Sequence, residues 1–140
     1  MCRSIYSKEK NNESIILGGN HMKSSRNILW ISRHPMTEAQ QDALMGKHTK
    51  QIWFRQVHQA VENVDDLEDD VAMADVICVV LPPRLMTEFM AKYKNWGKPI
   101  LRAISKRREL DGTATFEFIK WQRVLDFVEI VEDWDPEFDT

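Results

Sequence analysis

Cysteine is scarce in this 140-residue chain: Cys2 stands in a polar N-terminal stretch and Cys78 inside an apolar run. A tail thiol and a core thiol make a poor structural pair, and two are too few for a disulfide framework, so a reducing, cytoplasmic setting is expected. No apolar run approaches the roughly 20 residues that cross a bilayer, and the N-terminus lacks the apolar centre of a secretion signal. Membrane contact is therefore not expected. Glycine is also sparse, with five residues, and neither G-x-G-x-x-G nor G-x-x-x-x-G-K occurs, which argues against a dinucleotide or ATP cradled by backbone amides. Without Cys-x-x-Cys, His-Glu-x-x-His or the glycine spacing of a calcium loop, no metal is expected, and no other cofactor. A G-x-S-x-G elbow is missing as well, which excludes the usual serine hydrolase. Excess positive charge is absent: the net charge is −3. Duplex DNA is accordingly not an expected partner, and any phosphate contact has to come from a local cluster.

Bulky apolar filler is plentiful. The chain is 43% hydrophobic, with five Trp and six Phe, enough for one core in one domain of ordinary size. Residues 1–26 are polar and aperiodic apart from Ile15-Ile16-Leu17, and are expected to be a disordered leader. Gly18-Gly19 just before Met22 resembles a ribosome-binding site translated in frame, so the native start is expected at Met22. The domain proper is expected over residues 27–132, followed by an acidic tail, 133–140.

Within the domain, Asn27–Ile31 is a continuous apolar run of the kind found in strands buried on both faces. Thr37-Glu38-Ala39-Gln40 reads as a capping box opening a helix that Gly46 ends. Gln51–Arg55 is a second strand. The acidic run Asp65–Asp70 reads as a short solvated helix, and Val76–Leu81 as the central strand. A helix follows Pro82-Pro83, with Leu85, Met86, Phe89, Met90 and Tyr93 at helical spacing. Ile100–Ile104 is a fourth strand. Ser105–Ala114 reads as a basic loop with a turn at Asp111-Gly112; Ile119, Trp121, Val124 and Leu125 fit a helix, and Phe127–Val131 a last strand. Strands alternating with helices imply right-handed βαβ units. The expected fold is an α/β, three-layer, Rossmann-like sandwich with a mostly parallel sheet of four to five strands.

On that fold the strand carboxyl ends share one chemical character. Strand one delivers Ser32, Arg33 and His34, strand two Arg55 and His58, strand three Arg84, and strand four Arg102, Ser105 and Lys106. Basic and hydroxyl groups from four segments gathered on one rim of an acidic protein suggest a small anionic ligand, such as a nucleotide or oligonucleotide phosphate. Arg33, Arg55, His58, Arg84, Arg102, Ser105 and Lys106 are the candidate ligand-binding residues, with His34 and Ser32 as candidate catalytic groups. Arg102, inside an apolar strand, needs an anionic ligand or a structural ion pair with Asp75 or Glu88.

The stretch Ile28 to Gln40, with Ser32-Arg33-His34-Pro35 and Thr37-Glu38-Ala39-Gln40, resembles small Rossmann-like accessory proteins of type III CRISPR systems, the ring-nuclease type. That resemblance implies binding or metal-independent phosphodiester cleavage of a cyclic oligonucleotide; a two-fold homodimer would let one rim face another around such a ligand. Val80-Leu81-Pro82, Pro99–Ser105 and Trp121–Leu125 make most of residues 27–131 similar to uncharacterised small proteins of Gram-positive conjugative transposons. The second resemblance implies a mobile-element protein, with a non-catalytic protein-interaction module as the alternative to ligand binding.

Overall fold

The computed structural model describes residues 3–9, 25–47, 49–126 and 130–136. Its elements in chain order are β1 (Arg3–Glu9), β2 (Ser25–Ile31), α1 (Glu38–Asp42), β3 (Gln51–Val57), a 3₁₀ turn (Val64–Leu67) running into α2 (Glu68–Met73), β4 (Val76–Val79), α3 (Pro83–Tyr93), β5 (Ile100–Leu110), β6 (Thr113–Asp126) and β7 (Ile130–Asp133). No helix among these residues is long and apolar enough to cross a membrane.

All strands join one seven-stranded sheet in the order β1-β3-β2-β4-β5-β6-β7. The pairings among β3, β2, β4 and β5 are parallel. Those of β1 with β3, β5 with β6 and β6 with β7 are antiparallel, and they hold most of the paired residues. Alternate residues of the parallel strands supply two cores. Leu29, Ile31, Ile77 and Val79 pack under α2 and α3, against Leu67, Val71, Phe89 and Tyr93. Ile28, Trp30, Ile52, Phe54 and Cys78 point the other way, onto Met36 and Leu44 on either side of α1 and onto Trp121 and Trp134. A strand covered on both faces has no polar face to keep, which is why these runs read as continuous apolar stretches.

Local signals set the helices. Thr37 Oγ1 accepts from the Gln40 amide at 3.2 Å, and Gln40 Oε1 accepts from the Thr37 amide at 2.9 Å. That reciprocal box starts α1 where expected. Pro82-Pro83 opens α3, and Gly97 follows its end with φ 81°. Lys98 Nζ donates to the Val71 and Ala72 carbonyls, both at 2.6 Å, closing the end of α2.

The expectation of four or five mostly parallel strands in a three-layer Rossmann-like sandwich is overturned: the sheet has seven strands and is mixed. Three segments account for the change. Arg3–Glu9, expected to be disordered, is β1; Ile15-Ile16-Leu17 and the Gly18–Met22 stretch lie outside the described residues. Ser105–Leu110, expected as loop, continues β5. Thr113–Asp126 is one long strand, in place of the helix expected from Ile119, Trp121, Val124 and Leu125. Residues three apart share a helix face but lie on opposite faces of a strand. Trp121 and Val124 are buried in opposite cores, so both are apolar and together imitate helical spacing. The acidic tail also begins later than expected, since Trp134 is buried with the Arg26 guanidinium over its ring.

Candidate functional site

The parallel registers show which expected site residues share an end of the sheet. Ile31 is level with Val57 of β3 and with Val79 of β4. Leu101 is level with Cys78, so Arg102 continues the same row. Ser32, Arg33 and His34 leave β2 just beyond that row, His58 leaves β3, and Arg84 lies in the first turn of α3 after β4. Because β2 runs between β3 and β4, these segments are neighbours. The exposed side chains of Arg33, His34, Val80 and Arg84 lie at this end.

The loop after β2 is held by its own polar groups. Ser32 is buried, and its hydroxyl accepts from the His34 amide at 3.2 Å. Trp30 Nε1 donates to the His34 carbonyl at 2.8 Å, and Gln56 Nε2 donates to the carbonyls of both Ser32 and His34 at 3.0 and 2.9 Å. Gln56 is itself buried and has these carbonyls as partners, so the arrangement is costly to disturb. The loop backbone is thereby fixed while the Arg33 and His34 side chains remain in solvent.

Other expected site residues have different partners. Arg55 lies within β3, where Nη1 is 3.5 Å from Asp70 Oδ1. Asp70 is buried and also takes a bidentate pair from Arg3, at 3.0 and 2.6 Å. Withdrawing Arg55 from that carboxylate for a ligand would cost a partly buried ion pair. Arg55 instead borders a shallow cleft of about 130 Å³ shared with Ile5, Trp53, Asp70 and Met73. His58 Nε2 meets the Ser4 hydroxyl. Arg84 pairs with Glu88 at 3.2 Å, but both are exposed, and such a pair is readily exchanged for a ligand. Arg102 pairs with neither Asp75 nor Glu88: Nε donates to the Gln122 amide oxygen across the β5–β6 ladder at 2.8 Å. A half-buried guanidinium satisfied by a neutral amide keeps its charge for something else.

Ser105 and Lys106 are on an element the sequence reading missed. Beyond Leu101, β5 leaves β4 behind and pairs with β6 alone, up to a turn at Asp111-Gly112. The φ values there, 52° and 78°, are those of a two-residue type I′ hairpin, and Asp-Gly between β-forming runs is its usual signal. The resulting two-stranded arm rises past the carboxyl ends of the parallel strands. Ser105, Lys106, Arg107 and Arg108 are exposed along it.

Burial shapes the remaining ionisable groups. It pushes the Cys78 thiol well above its ordinary value and the Tyr93 phenol up to about 12. Tyr93 donates to the Val64 carbonyl at 2.6 Å. Both are core groups rather than site groups. Among the described residues no cluster of His, Cys, Asp and Glu could hold a metal ion. Compared with known proteins, the chain matches no family model, no curated protein and no solved structure.

Proposed function

We propose that the chain binds a small phosphate-bearing ligand, such as a nucleotide or cyclic oligonucleotide, at the carboxyl ends of β2 and β4 and the adjoining Arg102 of β5, without covalent chemistry. One observation carries this reading: Arg102 sits in the top row of the sheet, bonded among the described residues only to the neutral Gln122 amide, beside the ends that bear Arg33 and Arg84. Three guanidiniums offer fork-shaped donors for phosphate oxygens. The arm bounds the site on one side, with Lys106 on the Arg102 face of β5 and Ser105 on the opposite face. Ser32 serves the loop rather than the ligand, because its hydroxyl is engaged by the His34 amide. His34 is then a hydrogen-bond donor to phosphate, not a base acting with Ser32.

The discriminating experiment is calorimetric titration with inorganic phosphate and with linear and cyclic oligoadenylates, in EDTA. Saturable binding is expected to weaken about tenfold in Arg102→Ala and in Arg33→Ala, as for loss of a charge-assisted hydrogen bond. Arg55→Ala is expected to bind unchanged. No saturable binding of any probe, or binding indifferent to Arg102 and Arg33, would defeat the proposal. Cleavage of a cyclic oligoadenylate abolished by His34→Ala would replace it with the phosphodiesterase reading.

A further inference from the structure

The outer edge of the arm is an unfilled position in the sheet. On β6, β7 pairs with Gln122 to Asp126 only, and the Trp134 amide donates to the Trp121 carbonyl. From Thr113 to Lys120 the strand has β5 on one side and no partner among the described residues on the other. Bonded and non-bonded pairs alternate along an antiparallel ladder. A two-residue turn closes on the bonded pair Leu110–Thr113, and Arg108–Thr115 and Lys106–Glu117 are then the next bonded pairs. The backbone N–H and C=O groups of Ala114, Phe116 and Phe118 therefore face outward.

The two edges of the arm differ in charge. The β5 edge carries Lys106, Arg107 and Arg108 in succession, the kind of guard that blocks pairing with a like strand. From Thr113 to Ile119 the β6 edge has one charge, Glu117, among β-branched and aromatic residues. Phe116 is 73% exposed and Ile119 50%. Phe118 reaches back to Trp121, ring centres 5.4 Å apart, so an aromatic row leaves the core and ends in solvent at Phe116.

We propose that β6 pairs antiparallel with β6 of a second copy of this chain, about a two-fold axis at Phe116. The outward groups fit themselves in that register: Phe116 bonds its own counterpart, and Ala114 bonds Phe118 of the other copy. Glu117 falls opposite Thr115, so no like charges meet. Moving the axis to Glu117 would set carboxylate against carboxylate, and β5 paired with β5 would crowd the arginines. Because each copy presents the same edge, the contact is isologous and closes as a dimer. Two seven-stranded sheets thereby become one, and the two aromatic rows meet on one face. The inference does not depend on the ligand proposal, since the outer edge of β6 is separated from the strand ends by β5.

Sedimentation equilibrium of the full chain over a wide concentration range tests it. The expected particle has twice the chain mass. Thr115→Glu places like charges opposite Glu117 of the partner while adding a carboxylate beside Arg108 of its own hairpin, and is expected to raise the dimer dissociation constant about tenfold or more. Ala114→Pro removes an outward N–H and no β5 bond, and is expected to leave a monomer with unchanged circular dichroism. Arg107→Ala should leave the mass as in the parent chain. A monomer at every concentration, an open-ended series of larger species, or a dimer that survives both Thr115→Glu and Ala114→Pro would each overturn the proposal.

Discussion

Strands β5 and β6 live in two environments within a few residues of one another. At their base Trp121 is 2% exposed, packed edge-on against Trp30 at 6.0 Å, with Nε1 donating to the Gln40 carbonyl at 3.0 Å. Toward the tip, on the same face, Phe116 is 73% exposed. Both ends use the same backbone ladder, so hydrogen bonding alone does not decide where the domain's stability resides. What differs is coverage: the base has α3 over one face and the α1 segment over the other, whereas the tip has neither. An isolated two-stranded ribbon is marginal in water. The arm therefore derives its order from the base, and its exposed apolar residues are available for a contact outside the fold.

The largest expected effect breaks that comparison directly. Trp121→Ala removes the junction of both aromatic contacts and leaves the Gln40 carbonyl without its donor, at a cost of about 3–5 kcal/mol in urea unfolding. Phe116→Ala is expected to stay within about 0.5 kcal/mol, measured at concentrations where the chain is monomeric. Comparable losses at both positions would mean that the tip belongs to the core after all.

The opposite edge of the sheet supplies the next contrast. β1 is also an edge strand, but Asp70 ties it down by binding Arg3 and, on β3, Arg55. Asp70→Asn is expected to cost about 2–3 kcal/mol, somewhat below a fully buried pair because both arginines keep some contact with water. The amide protons of β1 should lose protection from exchange first. Among the described residues no buried carboxylate anchors the arm, whose Arg108–Glu117 pair is exposed, so the same substitution should leave exchange at Thr113–Glu117 unaltered.

How far these differences could be read beforehand depends on what each residue had to satisfy. β2 and β4 were readable because strands buried on both faces tolerate almost no polar residues, whereas β3 keeps Ile52 and Phe54 in the core between an exposed Trp53 and a half-buried Arg55. The α1 box at Thr37 and Gln40 was readable because capping is local chemistry. β1 was hidden because a half-covered edge strand, with exposed Ile5 and Ser7 and polar neighbours, has the composition of a tail. β6 imitated a helix because Trp121 and Val124 serve different cores. At the strand ends, Arg33, His34, Arg84 and Arg102 could be placed from strand order alone. Ser32 and Arg55 could not be distinguished from ligand-binding residues, since their partners, the His34 amide and Asp70, come from the fold rather than from spacing along the chain.

A third effect separates the core from the arm by pH. The Cys78 thiol and the Tyr93 phenol are both held neutral by burial in the folded chain. Each contributes stability that is fully present below its ordinary value, 9.0 for the thiol and 10.0 for the phenol. As pH rises past those values the unfolded chain ionises and the folded chain does not, so stability falls. Tyr93's share is lost between pH 10 and about 12, at a slope on the order of 1 kcal/mol per pH unit. Tyr93→Phe should flatten that part of the curve and cost about 1–2 kcal/mol at neutral pH, where the Val64 carbonyl loses its donor. The arm supplies no such group, so Phe116→Ala should leave the alkaline limb in place.

The smallest effect compares two glycines with nearly the same backbone strain. Gly97 follows α3 with φ 81°, Gly112 tips the arm with φ 78°, and a Cβ at either would meet nothing within 4 Å. With no clash to add, each Gly→Ala change has only the left-handed backbone to oppose it, about 1–2 kcal/mol. The readouts should nonetheless diverge. At Gly97 the strain bears on the helix that covers one core, so Gly97→Ala should lower the global unfolding free energy by that amount. At Gly112 it bears on a ribbon that can open without unfolding the base. Gly112→Ala should therefore leave the urea midpoint nearly unchanged while accelerating amide exchange at the bonded arm residues, Thr113, Thr115 and Glu117. A global loss at Gly112 equal to that at Gly97 would show the arm and the core unfolding as one cooperative unit.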